Sequence, residues 1–316
     1  MTYATSGAMR PNPQVSERRR WLQLLVGVVC MIATANIQYA WTLFVPEIQD
    51  TFGWSRANIQ IAFTIFVLVQ TWLAPIEGYF IDKFGPRLMV AFGALFIGFA
   101  WVINSQATTL MGFYVGAAVG GLGVGSIYAT CINNAIKWFP DRRGLAVGLT
   151  AGGYGAGSAA TILPIAAMIE SQGFQHTFMF FGILQGSLAF LAAWFLRAPQ
   201  ANEVKASSKI YQSTRDYTLG EALRTKLFWL MLVMFVLVVT GGMMAVAQLG
   251  VIAKDLGVKE FKVNLYFFTM AALPLALMLD RVMNGISRPL FGWISDNIGR
   301  EKTMVIAFSL EGIGII

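Results

Sequence analysis

Apolar runs of about twenty residues recur along the whole of this chain, and no other feature constrains its fold as tightly. At about 1.5 Å of helical rise per residue, such a run matches a hydrocarbon layer roughly 30 Å thick. Backbone amides and carbonyls find no water there, so a spanning segment must satisfy them internally, as a helix does. Composition agrees. Hydrophobic residues make up 56% of the chain, charged residues 12%, and mean hydropathy is +0.62. A soluble protein carries about twice that share of charge.

The runs predict an all-α membrane protein with eight complete spans and the start of a ninth. They lie at 22–45, 57–80, 88–104, 109–136, 144–169, 175–197, 227–253, 262–294 and 303 onward. No cleavable leader is expected: the first residues are polar and carry Arg10, Arg18, Arg19 and Arg20, and the run from Trp21 is too long for a signal core. Pro274 and Pro289 are expected to kink the eighth span.

The basic residues set the orientation. Loops on one side hold the N-terminal arginines, then Lys83 and Arg87, then Lys137, Arg142 and Arg143, then Arg197, Lys205, Lys209, Arg215, Arg224 and Lys226, then Arg300 and Lys302. The other side holds Arg56, Lys254, Lys259 and Lys262. By the positive-inside rule the N-terminus is cytoplasmic, as is the polar segment 198–226. The net charge of +7 is therefore a topology signal and implies no nucleic-acid partner. Cys30 and Cys131 lie in apolar runs and read as small buried hydrophobes. His176 is the only histidine, so no metal site and no cofactor are expected. Gly120, Gly121, Gly123 and Gly125 mimic nucleotide-loop spacing, but they follow no strand and lie inside a span.

A repeat organises the chain. Pro75, Gly78, Asp82 and Gly85 recur as Pro289, Gly292, Asp296 and Gly299. Parallel repeats of six spans are a transporter plan. The expected parts are a cytoplasmic tail, 1–20; a six-helix bundle, 21–197; a cytoplasmic central loop, 198–226; and a partial second bundle, 227–316. The chain stops at Ile316 inside an apolar run, so most of span 9 and spans 10–12 are expected to be missing. About eight or nine of twelve helices would then be present.

Arg288 lies eight residues before the polar loop at Asp296, about 12 Å along a helix and so near the bilayer midplane. A guanidinium there is costly, always charged, and shaped to hold a carboxylate through two parallel bonds. The plain alternative is a structural arginine paired with a helix carbonyl or with Asp280. Asp280, Asn284 and Arg288 are spaced one turn apart, and Arg281 shares a face with Arg288. Gln38 and Tyr39 break an apolar run. They fit either a cavity for a small anion or bonding between helices. Gly144, Gly148 and Gly152 repeat every four residues, a spacing that lets two helix backbones approach closely. Asp82 and Asp296 sit at helix ends, where they could cap neighbouring termini and hold one conformation.

Two loop segments, Gly78 to Arg87 and Gly292 to Arg300, resemble the signature of the major facilitator superfamily. Further stretches are similar to its oxalate/formate antiporter family: Ile37 to Leu43, Asp82 to Arg87, Trp138 to Ala146, Gly152 to Gly155, and Asn284-Gly285 with Arg288-Pro289. That resemblance implies two six-helix bundles around a central cavity. It implies a dianion held between Arg288 and a lysine of span 11, which would lie past Ile316. It further implies a cavity lined by Gln38, Tyr39, Gln60, Tyr128 and Tyr154. Asp280 and Arg281 depart from the family, whose span 8 is uncharged there. With Asp82, Arg87, Asp296 and Arg300 they form the candidate gating set.

The function expected is exchange of small carboxylates, oxalate for formate, by a monomer in a bacterial inner membrane. The alternative is proton-coupled monocarboxylate uptake, with Asp280 as the proton carrier. A membrane enzyme finds no support, because neither a nucleophile–base pair nor a metal cluster is visible in the sequence.

Overall fold

The computed structural model describes residues 17–159, 161–200, 203–204, 217–255, 257, 262–265 and 268–315. Among them the chain is helical, with one local exception. Span 1 is built of α1 (Glu17–Thr34), α2 (Asn36–Tyr39) and α3 (Trp41–Phe52), interrupted at Ala35 and Ala40. Both interrupting residues keep right-handed helical angles, so the segment bends and does not turn back. It ends at Gly53, whose φ of 69° closes the helix in the left-handed region that glycine tolerates.

Next come α4 (Arg56–Trp72) and α5 (Ala74–Gln106). Ser55 caps α4 by accepting from the Asn58 amide. Within α5, Gly85 has φ 77° and ψ 172°, and there the chain reverses. A β-carbon added to Gly125 would lie 2.8 Å from the Glu77 carboxylate, and one added to neighbouring Gly123 would lie 2.8 Å from the Gly93 carbonyl. In a straight helix Glu77 and Gly93 would stand about 24 Å apart. The sequence predicts a loop between two spans here. The structure shortens it to a single glycine.

Three more helices complete this half: α6 (Leu110–Trp138), α7 (Arg143–Gly157) and α8 (Ile162–Ala193), the last interrupted at Gly173 with φ 79°. The first half's core is aromatic. Phe44 stacks on Phe178 at 4.0 Å, Trp101 meets Phe44 edge-on at 6.0 Å, and all three are buried. Trp72, Phe195 and Leu237 stay largely exposed, as lipid-facing side chains of a membrane protein do.

Beyond the central segment lie α9 (Leu219–Leu223), α10 (Lys226–Asp255), α11 (Ala272–Ile298) and α12 (Arg300–Ile315). Thr218 and Glu221 form a reciprocal capping box that starts α9. One expectation fails here. Residues 262–265 and 268–271 do not open span 8 as helix. They form β1 (Lys262–Leu265) and β2 (Phe268–Ala271), antiparallel, with Lys262 opposite Ala271. Val263, Phe268 and Thr269 belong to strand-favouring types, and periodicity alone cannot separate a short apolar strand from helix. Pro274 consequently falls in the first turn of α11, where a missing amide costs nothing, while Pro289 lies inside the helix. Among the described residues, four segments are long and apolar enough to cross a membrane by length and composition, Glu17–Phe52 and Leu110–Trp138 included.

Candidate functional site

The two halves meet where α7 packs against α11. Their contact is a glycine seam. A β-carbon on Gly152 would lie 2.7 Å from the Gly285 carbonyl, and one on Gly148 would lie 2.7 Å from the Pro289 α-carbon. On Gly144 it would run into the Gly292 carbonyl, and on Gly292 into that of Gly144. These atoms are backbone and cannot move aside, so the four-residue glycine spacing is what lets the helices touch.

Just beyond Gly152 stands Tyr154, 3% exposed. Its hydroxyl donates to Gln38 Oε1 at 2.5 Å. Tyr39 and Tyr128 pack on it, each with ring centroids 5.4 Å away, Tyr128 edge-on. Gln70 and Arg288 both lie within its interaction range. Arg288 enters from α11. Its Nε donates to Asn284 Oδ1 at 3.1 Å, and a β-carbon on Gly155 would sit 3.6 Å from that same Nε. The absence of a side chain at Gly155 thus opens the space that the arginine uses. Among the described residues Arg288 forms no ion pair, and its hydrogen bond is to the neutral Asn284 amide. Gln38, Tyr39, Tyr128 and Arg288 are half-buried, as groups lining a cavity between two bundles would be.

Gln60 stands apart from this group. Its Oε1 accepts from the Trp41 indole at 3.3 Å, on the side facing Phe113. Asp280 is half-buried on α11, and the side chain of Arg281 lies outside the described residues. Sequence reasoning missed Gln70, an amide inside an apolar run that reaches Tyr154. It also passed over Glu77, a carboxylate in an apolar run that is 3% exposed.

At the basic end of the molecule, Asp296 does the work of a cap for another helix. The first residues of α7 have no side-chain cap of their own. The amides of Gly144 and Leu145 donate instead to the two Asp296 oxygens, at 2.8 and 2.7 Å. The helix dipole favours a negative charge at that position. Arg300 lies 3.1 Å from the same carboxylate and donates to Ser295 at 2.6 Å. Asp82 behaves differently from its repeat partner: it pairs with Lys137 at 3.1 Å and is 71% exposed. Arg87 donates to the Leu196 carbonyl at 3.4 Å. A cavity of about 410 Å³ lies elsewhere, in an apolar groove between α5 and α8 near Phe99 and Leu191. It offers nothing to a small anion.

A helical membrane protein with a repeated loop signature, whose halves meet at a glycine seam beside an arginine, has the build of a secondary transporter. The family model described as Major Facilitator Superfamily matches residues 24–316, and the chain belongs to that superfamily. It is 33% identical to the oxalate:formate antiporter of Oxalobacter formigenes, across 96% of this chain and 71% of that protein. It is 24% identical to a probable sulfoacetate transporter of Cupriavidus necator, across 58% of this chain and 43% of that one. It is 25% identical to human monocarboxylate transporter 7, across 55% of this chain and 34% of that one. The protein is an integral membrane protein of that transporter superfamily.

Proposed function

We propose that this protein exchanges small carboxylates across a bacterial inner membrane by alternating access, oxalate for formate. The observation that carries the reading is Arg288: a fixed cation beside Tyr154, held by a neutral amide and without a carboxylate of its own among the described residues. Its fork would take a carboxylate through two bonds, while Gln38, Tyr39, Tyr128 and Tyr154 would close around the anion and Gln60 would border it through Trp41. The relatives' names support the class of cargo, since they carry oxalate and formate, sulfoacetate or monocarboxylates. In this reading the N-terminus and the basic end are cytoplasmic. Residues 21–197 form one bundle, 198–226 the connecting loop, and 227–316 part of the second bundle. Asp296 with Arg300 holds the cytoplasmic end shut, and Asp82, Arg87, Asp280 and Arg281 belong to the same switching set. The transporter works as a monomer and needs no cofactor.

The test is exchange in proteoliposomes made with the complete protein. Arg288→Lys keeps the charge and loses the planar fork. Losing one charge-assisted bond of about 1.5–3 kcal/mol weakens apparent oxalate affinity by roughly 10- to 150-fold. Unchanged affinity in the lysine variant would refute the assignment.

A further inference from the structure

Two of the residues proposed to face the cargo, Gln38 and Tyr39, ride on α2, a helix only four residues long. So short a helix does not fix its own direction. Where it begins, the backbone bonding tightens: the Ala35 amide donates to Ile32 at 3.4 Å and the Gln38 amide to Ala35 at 3.3 Å, each reaching back three residues instead of four. A second tightened turn follows α7, where Ala159 donates to Ala156 at 2.9 Å and Thr161 to Ser158 at 3.1 Å. Three-residue bonding inside a span marks a place where the backbone alone does not settle the helix axis. The two turns face each other. A β-carbon on Gly157 would lie 2.8 Å from the Ile32 α-carbon and 3.2 Å from the Ala35 side chain, and one on Gly153 would lie 2.9 Å from Val28.

One side-chain bond ties these turns together. Thr161 stands at the start of α8, where a threonine hydroxyl ordinarily accepts from an amide of the first turn. It makes no such bond. Its hydroxyl donates to Asn36 Oδ1 at 2.8 Å, across 125 residues of chain, with the Gly157 and Ser158 carbonyls farther off at 3.3 and 3.4 Å. Asn36 is 1% exposed, so bulk water does not replace the bond if it breaks. Together with the bond from Tyr154 to Gln38, it holds α2 to its neighbour at two points. Arg288, on the other side of the cavity, is held separately by Asn284. The gap between the arginine and the Gln38–Tyr39 pair therefore depends on the direction of α2.

We infer that Asn36 and Thr161 are positioning residues that set the width of the cavity and so select the length of the dicarboxylate it takes. This rests on the exchange function proposed above. With the tie made, α2 presents Gln38 and Tyr39 at one distance from Arg288, suited to two carboxylates joined directly. A dianion one methylene longer meets a wall that does not give. With the tie released, α2 tilts, oxalate loses its aligned donors, and the longer dianion gains room.

Two measurements test this, one of them independent of cargo. Thr161→Val removes the hydroxyl and keeps the shape, while Thr161→Ser keeps the hydroxyl. Hydrogen exchange of the purified complete protein, read by mass spectrometry on peptides covering 33–44, should be faster in Thr161→Val than in wild type and restored in Thr161→Ser. Equal exchange in wild type and Thr161→Val overturns the tie, whatever the protein transports. In formate-loaded proteoliposomes, Thr161→Val should raise KM for oxalate about two- to tenfold, the worth of one neutral hydrogen bond, with little change in maximal rate. The preference for oxalate over malonate, the dicarboxylate one methylene longer, should fall by a similar factor. Thr161→Ser should match wild type. Asn36→Ala should repeat the shift, and the double variant should add nothing, because both changes remove the same bond. A wild-type preference in Thr161→Val, or a maximal rate that falls equally for both dianions with the preference intact, overturns the selecting role. If the wild type exchanges neither oxalate nor formate, the functional reading fails, while hydrogen exchange still decides whether the tie holds α2.

Discussion

Replacing Asp296 with asparagine should open the basic end of the molecule. In the structure the two carboxylate oxygens accept from Gly144 and Leu145 at 2.8 and 2.7 Å, and the side chain is only 11% exposed, so water screens these bonds little. Asparagine keeps one acceptor. Its amide nitrogen then faces a backbone N–H, donor against donor. A hydrogen bond to a charged group is worth about 1.5–3 kcal/mol, and losing one while the other loses its charge costs about 2–3 kcal/mol. The Arg300 pair adds little, because Arg300 is 45% exposed. At about 1.4 kcal/mol per factor of ten, the closed-to-open ratio should fall by roughly 30- to 150-fold. Spin labels at Arg142→Cys and Lys302→Cys, on exposed positions flanking the latch, would read the two populations by electron–electron distance measurement. A short-distance peak that gives way to a longer one in Asp296→Asn is the expected result. Identical distance distributions would refute the reasoning, for the cap would then contribute nothing to closure.

The other predictions concern the seam and the central segment. Gly148→Ala should slow exchange and lower the melting temperature, because its β-carbon meets backbone at the Pro289 α-carbon. Gly78→Ala, with nothing within 4 Å, should change neither and serves as the matched control. Arg197 grips Glu203 with two donors, at 2.9 and 2.5 Å, and this bonding holds the Glu203 carboxyl below its ordinary value. A depressed carboxyl stabilises the fold above its unfolded pKa of about 4.3 and loses that contribution as pH falls through the lower folded value. Digestion by an acid-active protease should therefore cut the segment after Glu203 increasingly as pH drops below 4, and Arg197→Ala should allow cutting at higher pH. Equal digestion of the two proteins across that range would exclude the role.

Much of this was legible in the sequence because it is periodic. Apolar runs at bilayer length locate α1, α6 and α10, and glycines four residues apart announce the seam. Arg288 with Asn284 one turn back is readable as an intrahelical bond, and the structure forms it. What stayed hidden depends on contacts between distant segments. The Asp296 cap joins residues more than 150 positions apart. Its repeat partner Asp82 has the same local sequence and a different environment, so the repeat alone could not say which of them caps a helix. Gln70 and Glu77 are single polar residues within apolar runs, and the sequence reading passed over both. Their meaning depends on Tyr154, Gly125 and Ser126, residues of other helices that composition cannot align. The strand pair at 262–265 and 268–271 went unseen for another reason: a short apolar strand and a helical turn draw on overlapping residue types.

The seam between α7 and α11 has a consequence for how the two halves recognise each other. Backbone carbonyls and α-carbons make the contact, and these atoms are the same in every protein. Along the seam the surface asks for little beyond a ban on bulk at 144, 148, 152, 285 and 292, and the Asp296 carboxylate that caps α7 adds a specific bond at one end. A first bundle of this kind should accept the span 8 of a relative that keeps small residues at the facing positions and an acid at the cap. Specificity for cargo, carried by Arg288 and the tyrosines beside it, is then free to change by exchange of halves without renegotiating the joint.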